Sequence, residues 1–189
     1  MLLLFFFATT ALSALAVEEE DKRAANAVRV LKEVRQAPHK AIPRDLLQNA
    51  HAIAVIPDVI KAGLVIGGRH GNGVIAVKTR DGTWSNPSFN GLTGGSIGFQ
   101  AGVSSTDVIL VFRTQRGVDS IVHVKFTIGA DASAAAGPVG RSAQASPDAQ
   151  LQADIYSYSR PRGPFSGAAL GCTALTLHNS TTQPVDGHA

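Results

Sequence analysis

The chain is poor in the residues that most catalytic and metal chemistry requires. It holds one cysteine, Cys172, which excludes an internal disulfide and any cysteine-based metal cage. Its six histidines, His39, His51, His70, His123, His178 and His188, show no H-x-x-x-H or comparable pair spacing, so no metal site has support in the sequence. Charged residues make up 16% and aromatics 6%, and most carboxylates after Asp45 fall at turns or strand starts, where capping is their ordinary role. The net charge is +3 and the pI about 9.3, without the dense basic cluster and interleaved aromatics of a nucleic-acid binder, so no nucleic-acid partner is expected. The glycine-rich run 67–73 lacks both the G-x-x-x-x-G-K-[ST] and the G-x-G-x-x-G spacings, and no cofactor is expected. No internal repeat or long low-complexity tract is present.

At 189 residues and 44% apolar composition, the chain has enough material for one core and too little for two, so a single domain is expected. Residues 2–8 are an apolar block, followed by small residues up to Ala14-Leu15-Ala16 and then the acidic Glu18-Glu19-Glu20-Asp21. At about 15 residues the block is short of the ~20 needed to span a bilayer. It reads as a signal peptide over 1–16, although no Lys or Arg precedes it, with export to the periplasm or medium and possible peripheral contact with an envelope membrane.

The mature part opens with an expected amphipathic helix over 17–40. Ala24, Val28 and Leu31 recur on one side, flanked by Ala27, Val30 and Val34, and Arg29, Lys32 and Arg35 lie late, as the helix dipole favours. Pro43 opens a shorter helix with Leu46, Leu47 and Ala50 inward. Residues 52–56 read as a buried strand stopped by Pro57. The stretch 63–102 then carries eleven of the 19 glycines (63, 67, 68, 71, 73, 82, 91, 94, 95, 98 and 102), separated by β-branched or alternating runs. It reads as the middle of an antiparallel sheet, with a wide exposed turn at 67–73 and a hairpin at Arg80-Asp81-Gly82 that buries Trp84 and Phe89. Residues 107–114 are strand-like, 117–126 a short helix, 129–140 a small-residue segment pressed against another backbone, and 141–152 a surface connection. Residues 155–158 and 165–177 supply the last strands, and 179–189 is a tail. The fold class is α+β, a mainly antiparallel glycine-rich sheet, sandwich- or barrel-like, with N-terminal helices packed on it.

Taken in order, a long series of short motifs points to one family. They are Ile42-Pro43-Arg44 with Leu46-Leu47, Ala54-Val55-Ile56-Pro57, Lys61-Ala62-Gly63, Gly67-Gly68, Gly71-Asn72-Gly73-Val74 and Trp84-Ser85-Asn86-Pro87 with Phe89. Gly94-Gly95-Ser96-Ile97-Gly98-Phe99-Gln100-Ala101-Gly102, Gly129-Ala130-Asp131-Ala132, Ala136-Gly137-Pro138-Val139-Gly140-Arg141, Ile155-Tyr156-Ser157-Tyr158-Ser159 and Gly163-Pro164-Phe165-Ser166-Gly167 continue it. The region 41–178 resembles the SYLF domain, a lipid-binding module of small exported bacterial proteins and, joined to SH3 or FYVE domains, of eukaryotic membrane and actin regulators. The family's closing Asn followed by Tyr is replaced by His178-Asn179-Ser180-Thr181 with no later Tyr.

The resemblance implies a non-enzymatic module that binds anionic phospholipid; eukaryotic relatives recognise phosphoinositides. It points to the basic residues Lys61, Arg69, Lys78, Arg80, Arg141, Arg160 and Arg162, read as exposed in or beside turns, each worth ~1 kcal/mol near an anionic surface. Actin binding is implied by fungal relatives alone and is at odds with export. An envelope structural or protein-interaction module without lipid specificity is the alternative. A remote second alternative is a serine hydrolase: Gly94-Gly95-Ser96-Ile97-Gly98 fits G-x-S-x-G, with Asp131 and His178 following in the usual order, although residues 99–103 read as strand and turn where the nucleophile elbow needs a helix.

Overall fold

The computed structural model describes residues 3–36, 41–63, 66–97, 102–120, 126–128, 133–137, 153–162 and 173–177. The elements run α1 (Leu3–Arg35), α2 (Arg44–Gln48), β1 (Ala52–Gly63), β2 (Ile66–Val77), β3 (Ser88–Ile97), β4 (Gly102–Phe112), α3 (Gln115–Asp119), β5 (Phe126–Ile128), β6 (Ala134–Ala136), β7 (Ile155–Arg162) and β8 (Thr173–Leu177). The strands form one sheet in the order β5-β8-β3-β2-β1-β4-β7-β6, with every pairing antiparallel except β6 on β7. The α+β class and the antiparallel sheet are as the sequence implies. Among the described residues the strand order runs open from β5 to β6, and each face carries its own apolar cluster.

β1 sits near the middle because it is apolar at both parities. Ala52, Ala54, Ile56 and Val59 join Ile75, Leu92, Val108, Leu110, Phe112, Val118 and Ile155 on one face. Val55, with Ile53, joins Ile109, Val111, Tyr156 and Tyr158 on the other, where α1 and α2 lie. Burying a side chain of this size contributes ~1.5–3 kcal/mol, so β1 and β4 anchor the fold. Pro57 does not end the strand. It lacks an N–H for the ladder, and the register slips between Ile56 and Val59 against β4, a bulge that leaves Asp58 at φ 50°. The Asp58 N–H donates to Asp107 Oδ1 at 3.0 Å.

The expected wide turn at 67–73 is also corrected. These residues are the interior of β2, paired one by one with β3 from Ile66↔Ile97 to Ile75↔Ser88. Gly71 and Gly73 serve close approach: a Cβ on Gly73 would lie 2.1 Å from the Val55 carbonyl oxygen and one on Gly71 2.8 Å from Ile56 and Val59. The true turn follows β2, where Gly82 at φ 86° closes a hairpin, Gly82 N–H donating to Thr79 O at 3.0 Å and Thr79 N–H to Thr83 O at 2.8 Å. The Asp81 carboxylate accepts from Thr83 N–H at 3.1 Å, from the Thr83 hydroxyl at 2.8 Å and from the Thr79 hydroxyl, which holds its pKa down at about 2.

α1 is one continuous helix. Ala27, Val30 and Val34 are its buried residues among those described, with Leu31 partly buried, whereas Val28 is 49% exposed. The apolar stripe is therefore 27-30-31-34, at the i, i+3, i+4, i+7 spacing of one helix face and rotated from the expected 24-28-31. The expected helix over 117–126 is limited, among the described residues, to α3. Thr114 caps it by accepting from Gly117 N–H at 3.1 Å, and Phe126 begins β5 instead. The small-residue segment does press on a neighbour: a Cβ on Gly137 would lie 2.1 Å from the Tyr158 ring. Asp154 ties this segment to α3, accepting from Thr114 Oγ1 at 2.7 Å and Ser133 Oγ at 2.7 Å; these hydroxyls hold its carboxyl below the usual range. The tail and all of 138–152 and 163–172 lie outside the described residues.

Candidate functional site

The basic residues divide into groups with different chemistry. Arg160 and Arg162, on β7, are not in a turn: both belong to an ion-pair cluster that fastens α1 to the sheet. Arg162 Nε and Nη2 reach Asp107 Oδ2 at 2.8 and 2.7 Å, and its guanidinium lies 3.5 Å from Asp58 and 3.8 Å from Glu33. Arg160 pairs with Glu33, and Arg29 lies 3.1 Å from Glu33 and 3.7 Å from Asp58. Three cations (Arg29, Arg160, Arg162) thus face three carboxylates (Glu33, Asp58, Asp107), leaving no net charge. The Arg29 hydrogen bond, with the Arg160 charge, holds the Glu33 carboxyl below its usual range, and the Asp107 hydrogen bond pushes the Arg162 guanidinium up. A neutral cluster is poorly suited to attract an anionic surface, whatever its arginine content.

Lys61 and Arg69 face each other across β1 and β2. Arg69 was expected in an exposed turn, yet it is buried at a strand position, and desolvation pushes its guanidinium pKa down. Arg141 lies outside the described residues. Ser96 is in β3, its backbone paired with Gly67, and the next described residues form strand β4 from Gly102, where a nucleophile elbow needs a helix. Asp131 and His178 lie outside the described residues.

Lys78 and Arg80 remain, at the hairpin that closes β2. Arg80 is exposed. Lys78 pairs with Trp84 in an isolated bridge, and its Nζ donates to the Gln48 carbonyl at 2.8 Å, which joins the hairpin to α2. Trp84 was expected in the core holding the hairpin, but it is 42% exposed. The reason is the turn itself: Ser85 N–H donates to Val77 O at 2.8 Å and Val77 N–H to Ser85 Oγ at 3.1 Å, so the hairpin is locked by polar contacts and Trp84 stands at its rim.

Between this rim and the helices lies an open groove of about 600 Å³. Its floor is Leu31 and Val34 of α1, Ile42 and Leu47 around α2, and Ile53 of β1; its rim is Arg35, Gln48, Lys78, Gly82 and Trp84. Among the described residues two cations and no carboxylate line it. Sequence reasoning identified Lys78 but missed Arg35, which follows Leu31 by one helical turn and so shares its flank. It also missed Trp84 as an exposed group. The groove can hold an apolar body beneath an anionic head.

A profile of the Ysc84 family, described as Las17-binding protein actin regulator, matches residues 93–185. LAS seventeen-binding protein 3 of Saccharomyces cerevisiae is 37% identical over 139 residues, covering 72% of this chain and 30% of that protein. SH3 domain-containing YSC84-like protein 1 of Homo sapiens is 30% identical over 170 residues, 88% of this chain and 49% of that protein. Protein YSC84 of Saccharomyces cerevisiae is 33% identical over 165 residues, 85% and 35% respectively. The chain spans about half or less of the length of these relatives. The profile match runs from within β3 past β8, and with the relatives' coverage of this chain it shows that the chain belongs to the SYLF (Ysc84) domain family.

Proposed function

We propose that the protein is a non-enzymatic module that binds anionic phospholipid surfaces peripherally through the hairpin that closes β2. The single observation that carries this reading is the placement of exposed Trp84 beside Lys78 and Arg80 at the tip of one rigid hairpin. Tryptophan favours the boundary between water and apolar phase, and cations beside it favour anionic headgroups. Lys61 contributes a further cation, whereas Arg160 and Arg162 serve the ion-pair cluster and leave the proposed lipid contact. We place the protein outside the cytoplasm, with cleavage after Ala16. No helix among the described residues is long and apolar enough to cross a membrane.

Co-sedimentation with vesicles of phosphatidylserine, phosphatidylglycerol or phosphatidylcholine across a salt series tests the reading. Binding should require the anionic lipids and weaken steeply with salt, since the Debye length is ~8 Å at physiological ionic strength. Lys78→Ala with Arg80→Ala should remove ~2 kcal/mol, about thirtyfold in affinity. Absence of sedimentation at low salt defeats the proposal. The relatives' names favour a second reading, a protein-interaction module, because they are named for binding Las17. That reading predicts capture of a protein partner that survives high salt and the Lys78/Arg80 change.

A further inference from the structure

The groove behind the hairpin has a chemistry of its own that surface attraction does not use. Of the five aliphatic side chains of its floor, Leu31, Leu47 and Ile53 are partly open to water over the buried Val34 and Ile42, and no acid among the described residues lines it. Leaving apolar surface wet costs ~25 cal/mol per Å², so such a groove favours an apolar occupant. We infer that it takes one acyl chain of an anionic lipid, with the phosphate held at the mouth by Arg35 and Lys78 and the first methylenes covered by Trp84. This inference rests on the anionic-lipid reading above and specifies how one lipid molecule is held.

Volume decides between one chain and two. At roughly 30 Å³ per heavy atom, the share a water molecule takes in the liquid, about 600 Å³ holds about 20 heavy atoms, the size of one chain of about 16 to 18 carbons. Two chains would need about twice that. The volume also falls within the ~300–1,000 Å³ of ordinary ligand pockets. Charge decides the head. Arg35 and Lys78 come from different elements, α1 and the end of β2, and converge on the rim, while Lys78, having given one N–H to the Gln48 carbonyl, keeps two more. A zwitterionic choline head would bring its own cation against both.

The experiment uses the full chain and its one tryptophan, so that emission reports Trp84 alone. Dibromostearoyl lysophosphatidic acid, kept below its critical micelle concentration, should quench that emission saturably at one lipid per chain. Dibromostearoyl lysophosphatidylcholine should bind at least tenfold more weakly. Ile53→Phe, which fills the floor, should abolish quenching by the monomeric lysolipid. Should Ile53→Phe unfold by circular dichroism, Arg35→Gln with Lys78→Gln, both at the rim, should weaken the lysophosphatidic acid about thirtyfold. Non-saturable or absent quenching, with vesicle binding intact, overturns the groove and leaves the surface reading standing. Equal affinity for the two lysolipids overturns the assignment of the anionic head. Loss of both vesicle and monomer binding in the unmodified protein overturns both readings together.

Discussion

Replacing Arg162 with methionine should destabilise the protein far more than replacing Arg160, though both arginines face Glu33 from the same strand. The Asp107 side chain is fully covered, at 0% exposure, accepts from Asp58 N–H and from Arg162 Nε, and lies 2.7 Å from Arg162 Nη2 as an ion pair. Without Arg162 a buried carboxylate keeps one backbone donor and no counter-charge. Removing one partner of a buried pair costs ~3–5 kcal/mol. Because Arg162 is itself 34% exposed, water can reach the vacated side, and the lower end, about 3 kcal/mol, is the expected value. The Arg160 pair is 43% and 33% exposed at its two ends, and losing it should cost ~0–1 kcal/mol. Urea unfolding followed by far-ultraviolet circular dichroism measures both. Adding Asp107→Asn to Arg162→Met should recover part of the loss, since an amide needs no counter-charge. If Arg162→Met costs no more than Arg160→Met, the buried carboxylate is not what makes this cluster matter.

Trp84→Ala should shift the urea midpoint by under ~1 kcal/mol, against the ~3–5 kcal/mol of a buried tryptophan, and native emission should already lie towards the red; a blue native spectrum would refute the exposed placement. Stability should fall in acid: hydroxyl and backbone donors around Asp81, the Arg29 hydrogen bond to Glu33, and the Ser133 and Thr114 hydroxyls on Asp154 lower these carboxyls in the folded state. The unfolded chain therefore binds protons first, so their contribution is complete above the ordinary values of 3.8 and 4.5 and is lost as pH drops towards about 2. A urea midpoint that stays level or rises over that window would contradict the assignment.

Periodicity and turn chemistry were legible where they act locally. Arg80-Asp81-Gly82 announces its hairpin because the third position needs φ > 0, and Leu46 and Ala50 announce the inner side of α2. What escaped the sequence depends on neighbours. Pro57 reads as a stop because it lacks a donor, yet a bulge absorbs that loss inside a twelve-residue strand. Gly67 to Gly73 reads as a turn because glycine is usually needed for turns; here Gly71 and Gly73 make room for β1 lying close by. Arg160 and Arg162 read as free cations because their partners, Glu33, Asp58 and Asp107, lie 55 or more positions away for the closest bond and 127 for the furthest. Trp84 reads as core because a lone tryptophan usually is, and only the polar lock at Ser85 and Val77 leaves it at the surface.

The geometry of α1 explains why cations that look alike in the sequence separate into two roles. At about 100° per residue, Val30, Val34 and Ala27 fall at about 100°, 140° and 160° when Arg29 is set at zero, which is the stripe against the sheet. On the same scale Glu33 falls at about 40°, and Leu31 and Arg35 at about 200° and 240°. Arg29 and Glu33 thus flank the stripe on one side, where Arg160 and Arg162 meet them, and Leu31 and Arg35 flank it on the other, where they wall the groove. The ion pairs fix the roll of the helix on the sheet, and that roll aims Arg35 at the rim beside Lys78. A helix without the cluster could rotate on its small Ala27 and Val30 contacts, and the groove would lose one of its two cations. The arginines of β7 therefore serve the candidate site without touching what binds there: they neutralise one flank of α1 so that the charge of the other is presented in a fixed place.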